Sequence, residues 1–237
     1  MVSVRNFKEL TFLVYGLGST GKSVVTFFKK NNIKNYYVWD DYEKSLYKRK
    51  RVRNLKKTIK EVNYIILSPG VSLKKTYYRK ELIKNKKKII TDIDLIFLLK
   101  RFFKSIIVTG TNGKSTTCKI ISHLLKKNKY KTLLGGNIGT PILNLDIKKK
   151  NFLVIEASSF QLAHSKFISP DYALLLNITN DHLDWHGSMK NYINSKFKIF
   201  KLQRASQYAL LNKKLKLNYK RRSFSGKLIV PETRKEL

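Results

Sequence analysis

Short apolar runs alternate with longer amphipathic segments along the N-terminal part of the chain. Strands are predicted at "TFLVYG", "NYYVWD", "NYIILS" and "KII", with a turn at "SPGV", Ser68 to Val71. Helices are predicted at "GKSVVTFFKKNN", over the basic stretch from Tyr42 to about Lys60, at "YYRKELIKNKKK", and at "TDIDLIFLLKRFF" from the N-cap candidate Thr91. This alternation predicts a parallel sheet with helices on its faces.

A second series of the same kind begins at "KSIIVTG". Its helices are predicted at "KSTTCKIISHLLKKN", from the capped start "NIGTP", and at "GSMKNYINSKFKIFKLQ". Strands are predicted at "YKTLLGG", "NFLVIEA" and "QYALLN", with a further apolar run at "YALLLNIT". The domain boundary is placed between Leu99 and Ser105. The sequence therefore predicts two α/β domains, residues 1–100 and 101–237.

The stretch "GLGSTGKSVV" follows the first strand and matches two phosphate-binding patterns at once. Gly16, Gly18 and Gly21 spell G-x-G-x-x-G, the dinucleotide fingerprint, and the same stretch also spells the P-loop G-x-x-x-x-G-K-S. The next strand ends at Asp40 and Asp41, where an acceptor for a ribose hydroxyl is expected. This context favours a dinucleotide or a nucleotide-sugar diphosphate over a triphosphate. A glycine turn that serves only helix–strand packing stays an alternative.

The stretch "VTGTNGKSTT" departs from the strict P-loop, because Val108 stands where the pattern requires its first glycine. Even so, Lys114 is suited to neutralise triphosphate oxygens, and Ser115 and Thr116 offer hydroxyls to Mg²⁺. Glu156 closes the apolar strand "NFLVIE", where a carboxylate is better placed to hold a metal than to cap the next helix. The imperfect loop is therefore the better candidate for ATP.

The chain carries a formal net charge of +35 and a single cysteine, Cys118. Its basic residues are scattered through every predicted helix and accompany Asn, Ile, Tyr and Phe, whose codons are AT-rich. Genome composition therefore explains much of the charge, and no specific nucleic-acid partner is expected, although a basic nucleic-acid-binding P-loop protein stays an alternative. The lone cysteine and the lack of a signal-like or membrane-spanning apolar run indicate a cytoplasmic protein with no membrane partner.

Four blocks of the second series occur in the order and spacing typical of the Mur ligases, the ATP-dependent amide ligases of peptidoglycan precursor synthesis. These blocks are "GTNGKST", "GGNIGTP", "EASSFQL" and "NITNDHLDWHGSMKNYINSKFKIF". With "GLGSTGKS" and "SPGV" added, the chain up to about Leu211 resembles the D-glutamate-adding members of this family most. The resemblance implies a Rossmann-like, UDP-substrate-binding domain at 1–100 and a P-loop-type α/β ATPase domain at 101–237.

The resemblance also implies binding roles for individual residues. The first loop, the "SPG" turn and three residues of the second series would bind the UDP-muramoyl substrate, and the second loop would bind ATP. The UDP-muramoyl set is Gly16, Gly18, Ser19, Thr20, Asp40, Ser68, Pro69, Gly70, Asn137, Ser158 and Gln161, and the ATP set is Gly110, Thr111, Asn112, Gly113, Lys114, Ser115 and Thr116.

A catalytic and metal-binding set is implied in the same way. Lys114 would contact the β- and γ-phosphates and Ser115 one Mg²⁺, while Glu156 would bind a second Mg²⁺ with His182 and Lys196. In the family, the lysine at the Lys196 position is carbamylated, which turns an amine into a carboxylate-like anion. Apolar neighbours on its helix would lower the pKa of Lys196 and favour reaction with CO₂, although an ordinary surface lysine stays an alternative. Zinc at "DHLDWH" is disfavoured because no cysteine accompanies its histidines.

The implied reaction adds D-glutamate to UDP-N-acetylmuramoyl-L-alanine through an acyl phosphate, with ATP and Mg²⁺, in a monomeric cytoplasmic enzyme. The family has a third domain that binds the incoming amino acid. We expect that domain to be absent here, because residues 212–237 resemble part of the central ATPase domain, and the D-glutamate site would then lie outside this chain. The alternative function is a truncated, inactive chain that binds nucleotide and UDP-sugar.

Overall fold

The computed structural model describes residues 4–43, 45–99, 103–148 and 151–231. The chain divides into two compact units. The N-terminal unit comprises Met1–Arg101 with Pro141–Asn144 and His164–Lys166, and the C-terminal unit comprises Phe102–Thr140, Leu145–Ala163 and Phe167–Leu237. Two short segments of the later chain thus belong to the N-terminal unit, which a continuous division of the sequence does not anticipate.

Parallel strands form the sheet of the N-terminal unit. Strand β1 is Phe12–Tyr15, β2 is Tyr36–Trp39, β3 is Tyr64–Leu67 and β4 is Ile89–Ile90, in the order β2-β1-β3-β4. Every residue of β1 is fully buried, because the strand has neighbours on both edges and is covered on both faces. The predicted α/β parallel-sheet fold is confirmed.

The helices of this unit begin and end at polar signals in the sequence. They are α1 Val4–Glu9, α2 Ser19–Lys30, α3 Leu55–Glu61, α4 Arg79–Lys84 and α5 Asp92–Leu98. Thr91 caps α5 as predicted, since its backbone N–H donates to the Asp94 carboxylate at 2.9 Å in a reciprocal capping box. The predicted continuation of α5 through residues 100–102 lies outside the described residues.

The long helix predicted from Tyr42 to about Lys60 is wrong over most of its length. Only α3 forms, and Asn54 caps it by accepting a hydrogen bond from the N–H of Lys57 at 3.0 Å. Before that cap, the Arg51 guanidinium donates to the backbone carbonyls of Glu43 and Asp40 at 2.8 and 3.2 Å. These bonds hold the described part of the segment as a loop with one short 3₁₀ turn at Lys48–Lys50. Residue 44 lies outside the described part.

The sheet of the C-terminal unit has six described strands, all paired in parallel. Their order is β10-β9-β8-β5-β7-β6, so β5 lies in the middle with β8 and β7 beside it. Because the strands are parallel, the loops after β5, β7 and β8 emerge at one edge of the sheet. The strands are β5 Lys104–Thr109, β6 Thr132–Gly136, β7 Phe152–Glu156, β8 Tyr172–Leu175, β9 Tyr208–Leu211 and β10 Lys227–Ile229.

Helices in the second half of the chain differ from the sequence prediction in several places. The capped helix start at "NIGTP" is wrong, because only a 3₁₀ turn follows, at Ile142–Asn144. The short helices at Ser159–His164, Leu183–His186 and Lys216–Lys220 were not among the predicted helices. The helix over "GSMKNYINSKFKIFKLQ" ends at Phe197 before a 3₁₀ turn. None of the helices in the described ranges is both long and apolar enough to cross a membrane. The helices are α6 Lys114–Lys127, α7 Ser159–His164, α8 Leu183–His186, α9 Met189–Phe197 and α10 Lys216–Lys220.

Candidate active site

The loop between β5 and α6 brings backbone N–H groups to the start of a fourteen-residue helix. Gly113 precedes this helix with φ of +81°, a left-handed conformation that glycine adopts without strain. Gly110 packs closely, since a Cβ added there would lie 3.1 Å from the Cβ of Leu176. A helix N-terminus reached through a glycine-rich loop is a favourable place for phosphate, because its first N–H groups have no partner within the helix.

Four polar side chains meet at the carboxyl edge of the sheet, around this loop. The Ser115 hydroxyl donates to Glu156 Oε2 at 2.8 Å, and Asn137 Nδ2 donates to Glu156 Oε1 at 3.0 Å. Lys114 Nζ donates to the carbonyl oxygen of Thr111 at 2.7 Å. The Glu156 carboxylate is buried, with 2% of the residue exposed, and each of its two oxygens accepts one of these hydrogen bonds. The structure therefore brings Lys114, Ser115, Glu156 and Asn137 together.

Glu156 and Ser115 supply oxygen atoms of the kind that Mg²⁺ prefers. Glu156 ends β7, which pairs with β5, and Ser115 lies in the first turn of α6, so both are at the carboxyl edge of the sheet. The end of β6 packs closely against the backbone of Glu156, since a Cβ on Gly136 would lie 2.4 Å from the carbonyl oxygen of Glu156. The residues present thus fit a metal that binds a hydroxyl and a carboxylate.

Lys196 is buried beside the loop, with 2% of the residue exposed. Its Nζ donates to the carbonyl oxygen of Gly110 at 2.7 Å and lies 4.7 Å from the centre of the Tyr192 ring. Burial and the positive charge of Lys114 lower the pKa of Lys196 to about 7, although the Asp181 carboxylate opposes them. A large share of this amine is therefore unprotonated and nucleophilic near neutral pH.

His182 lies at the start of α8, beside Asp181 and Phe160. Its ring lies 3.2 Å from the Asp181 carboxylate and 4.7 Å from the centre of the Phe160 ring, and its backbone φ is +52°. Within the described ranges, no three His, Cys, Asp or Glu side chains are grouped so that they could hold a metal ion. The joint role of Glu156, His182 and Lys196 stays a prediction.

The remaining downstream residues make local contacts. Gln161 Oε1 accepts hydrogen bonds from the Ser158 backbone N–H at 3.1 Å and hydroxyl at 3.2 Å, and both residues are buried at the start of α7. His186, which the sequence analysis weighed only as part of a disfavoured zinc site, is buried and shares a 3.0 Å hydrogen bond with the Ser159 hydroxyl. Sequence reasoning missed Asn177, which contacts the loop after β5. Only the position of Asn177 directly after an apolar run signalled a place at the sheet edge.

The first glycine-rich loop lies in the N-terminal unit between β1 and α2. Gly16 and Gly21 are required by packing, since a Cβ on Gly21 would lie 1.9 Å from the carbonyl oxygen of Gly16. The Ser68 hydroxyl donates to that same oxygen at 2.8 Å and joins the "SPG" turn to the loop. A Cβ on Gly18 would meet nothing within 4 Å. Gly18 therefore leaves open space in front of the first turn of α2, and Ser19, Thr20, Pro69 and Gly70 are exposed or half-buried.

Asp40 binds the backbone of this first loop and of the segment after β2. Its carboxylate accepts hydrogen bonds from the N–H groups of Leu17 at 2.6 Å and of Tyr42 and Glu43 at 2.9 Å each. Burial alone would raise the pKa of Asp40, but these donors outweigh it and hold the pKa below its ordinary value. Asp40 thus orders the loop, and any ribose hydroxyl would share an oxygen with these donors.

The "GKS" ending of the first loop does not form a cluster like that of the second. Lys22 is exposed, and the Ser23 hydroxyl is buried and donates to the carbonyl oxygen of Thr20 at 2.7 Å. The corresponding Ser115 hydroxyl instead reaches the carboxylate at the end of the neighbouring strand.

A glycine-rich loop that leads into a helix at the carboxyl edge of a parallel sheet, with a carboxylate at the end of the adjacent strand, defines an α/β protein of the P-loop type. Within that class, the chain belongs to the Mur ligase family, because the model of the Mur ligase middle domain matches residues 108–229 of its 237 residues.

Individual relatives agree with this assignment. UDP-N-acetylmuramoylalanine--D-glutamate ligase of Wolbachia pipientis wMel is 39% identical over 206 residues, which are 84% of this chain and 40% of the relative. The protein of the same name from Rickettsia prowazekii is 38% identical over 216 residues, 87% of this chain and 47% of the relative. The chain thus spans less than half the length of these relatives.

A solved structure agrees on the fold. The UDP-N-acetylmuramate:L-alanyl-gamma-D-glutamyl-meso-diaminopimelate ligase from Neisseria meningitides matches with a TM-score of 0.55 and 13% identity, over 92% of this chain and 76% of that one. At that identity the likeness shows the fold alone.

Proposed function

We propose that the chain carries the nucleotide and nucleotide-sugar sites of an ATP-dependent amide ligase that adds D-glutamate to UDP-N-acetylmuramoyl-L-alanine. The observation that carries the proposal is the cluster of Lys114, Ser115 and Glu156 at the end of β5 and β7. The names of the relatives support the choice of substrates.

The second loop is the proposed ATP site. The N–H groups at the start of α6 would bind phosphate oxygens, and Lys114 would exchange its bond to the Thr111 carbonyl for the β- and γ-phosphates. Ser115 and Glu156 would hold Mg²⁺, which when bound neutralises charge on the phosphates. Asn137 would orient the Glu156 carboxylate through its 3.0 Å hydrogen bond. Residues 101–237 would thus act as the ATP-binding domain.

The proposed reaction has two steps. A carboxylate oxygen of the UDP-muramoyl substrate attacks the γ-phosphorus, and the bond from that phosphorus to the β-phosphate oxygen breaks, which releases ADP and leaves an acyl phosphate. The amine of D-glutamate then attacks the acyl carbon, the carbon–oxygen bond to phosphate breaks, and the nitrogen loses a proton as the amide forms. Lys114 offsets the negative charge that gathers at the phosphoryl group in the first step.

The first loop is the proposed site of the UDP moiety, which makes residues 1–100 the UDP-substrate domain. Open space at Gly18 supports this, because a diphosphate needs close approach to the backbone at that point. Ser68, Pro69 and Gly70 would flank it, since the Ser68 hydroxyl joins that turn to the loop. Carbamylation of Lys196 is proposed on the same footing, supported by its burial and its lowered pKa.

The test is calorimetric titration of the full chain with MgADP and, separately, with UDP-N-acetylmuramoyl-L-alanine. Phosphate release is then measured with MgATP and both substrates. Binding of both ligands with phosphate release that depends on D-glutamate supports a ligase. Binding without phosphate release reduces the function of this chain to nucleotide and UDP-sugar binding. Failure to bind MgADP contradicts the proposed site.

A further inference from the structure

The segment that follows β8 is hydrogen-bonded to the loop between β5 and α6. The bonded residues are Thr111 and Asn112, which form the outer half of this phosphate loop. The Asn177 side-chain oxygen accepts hydrogen bonds from the N–H groups of Asn112 at 2.9 Å and Thr111 at 3.1 Å. Its Nδ2 donates in return to the carbonyl oxygen of Asn112 at 3.1 Å. One side-chain amide therefore binds both the N–H and the carbonyl oxygen of Asn112, together with the N–H of Thr111.

Further contacts fix the position of Asn177 itself. The N–H of Leu176 donates to the carbonyl oxygen of Thr109 at 3.0 Å, which continues the pairing of β8 with β5 by one residue. The Thr179 N–H donates to the Thr111 hydroxyl at 3.0 Å, and the Tyr192 hydroxyl lies 3.0 Å from that same oxygen. Asn177 is thus held directly after the end of β8 by hydrogen bonds of its neighbours to β5 and to the loop.

The two halves of the loop consequently have different hydrogen-bonding states. The N–H groups of Thr111 and Asn112 are already engaged, so a phosphate oxygen could use them only after these bonds break. The first N–H groups of α6, from Lys114 onward, have no partner within the helix. An incoming anion therefore finds available N–H groups at the start of α6, whereas the N–H groups of Thr111 and Asn112 are already bonded to Asn177.

We propose that Asn177 is a positioning residue that holds the outer half of the phosphate loop in its binding conformation and leaves phosphate to the N–H groups of Gly113, Lys114 and Ser115. The part that concerns phosphate rests on the proposed ATP site. The part that concerns the loop does not, because it predicts the state of the protein without nucleotide. A loop that is ordered beforehand loses less conformational freedom on binding, which strengthens binding without any contact from Asn177 to the ligand.

The test is residue-resolved amide hydrogen exchange of the ¹⁵N-labelled full chain, with and without MgADP. The Asn112 amide is the best reporter, since the Thr111 N–H also donates to the main-chain oxygen of Asn177 at 3.0 Å. We expect exchange of the Asn112 amide in the free protein to be slowed by about 100-fold or more. MgADP should then slow the amides of Gly113, Lys114 and Ser115 and leave that of Asn112 nearly unchanged.

Two variants complete the design. Asn177→Leu should restore fast exchange at Asn112, retain part of the protection at Thr111, and weaken MgADP binding by about tenfold. The matched control is Asn212→Leu, which removes an asparagine that caps the loop after β9 by accepting from the Lys214 N–H at 2.9 Å. This control should change MgADP affinity by less than about twofold, because its bond lies in another loop.

Fast exchange of Asn112 in the free wild-type protein, or protection that appears there only with MgADP, would overturn the inference. If MgADP does not bind at all, the proposed ATP site fails, but exchange of Asn112 in the free wild-type protein and in Asn177→Leu still decides whether Asn177 holds the loop.

Discussion

The two glycine-rich loops are similar in sequence and are built on different principles. In the first loop, Gly21 is required by steric contact, because its Cβ would meet the Gly16 carbonyl oxygen at 1.9 Å. In the second loop, Gly113 is required by conformation, with φ of +81° and a nearest neighbour at 3.6 Å. The first loop is held by close backbone packing and by Asp40, and the second by side chains from adjacent strands. The stricter match to the P-loop pattern therefore lies in the loop whose serine bonds its own backbone, and the looser match in the loop whose serine reaches a carboxylate at a strand end.

The largest expected effect breaks the first loop. Gly21→Ala forces two backbone segments apart and should lower the free energy of unfolding of the N-terminal unit by about 3 kcal/mol or more. Gly113→Ala should cost the C-terminal unit only about 1–2 kcal/mol, the price of a left-handed alanine. Each unit contains one of the two tryptophans, so unfolding of each unit in urea can be followed separately. Trp39 fluorescence in a Trp185→Phe background reports on the N-terminal unit, and Trp185 fluorescence in a Trp39→Phe background reports on the C-terminal unit. Equal losses at the two glycines would contradict the comparison.

The next effect concerns the buried amine beside the second loop. The pKa of Lys196 is lowered to about 7 in the folded state, so the unfolded chain binds the proton more tightly. Below about pH 7 the folded protein buries a charge, and from there to about pH 10 its stability rises by up to about 1.4 kcal/mol per pH unit. Lys196→Met should remove this rise. The free energy of unfolding of the variant minus that of wild type should therefore be greatest near pH 6 and should fall above pH 7.

Urea titrations at several pH values, followed by Trp185 fluorescence in a Trp39→Phe background, measure this difference. Lys22→Met is the control, because it removes an exposed lysine from the first loop. A stability difference between wild type and Lys196→Met that does not change with pH would contradict the burial of a titrating amine.

A smaller effect, in the acid range of pH, is expected at the first loop. Asp40→Asn loses the charge that three N–H groups contact and should cost the N-terminal unit about 1–2 kcal/mol at neutral pH. Because the pKa of Asp40 is below its ordinary value in the folded state, its contribution is present at neutral pH and is lost as pH falls through that lowered pKa. Wild type and Asp40→Asn should therefore converge in acid when unfolding is followed by Trp39 fluorescence.

The smallest effect on stability separates packing from binding in the same loop. Gly18→Ala adds a methyl group in open space at an extended backbone position, and should change stability by less than about 0.5 kcal/mol. The methyl group would stand where the UDP diphosphate is proposed to approach, so titration with UDP should show weaker binding. Unchanged UDP affinity would remove Gly18 from the proposed site.

Local patterns predicted the capped start of α5 and the strands other than β10, with β8 seen only as an apolar run, because alternation and capping depend on neighbouring residues. They also predicted that Lys196 faces apolar side chains, since a helical period places it beside Tyr192. They failed over Tyr42 to Lys60, where long-range bonds from Arg51 decide the backbone. Asn177 was missed for the same reason: its contact with the loop depends on the register of β8 against β5, which local patterns do not contain.

The central claim is that the imperfect loop, and not the strict one, binds the nucleotide triphosphate. The most direct measurement is calorimetric titration of MgATP, or a non-hydrolysable analogue, into Lys114→Ala and Lys22→Ala. Lys114→Ala should lose at least about 100-fold in affinity, about 2.7 kcal/mol, and Lys22→Ala should retain nearly all of it. Loss of binding in Lys22→Ala, with Lys114→Ala unaffected, would contradict the account.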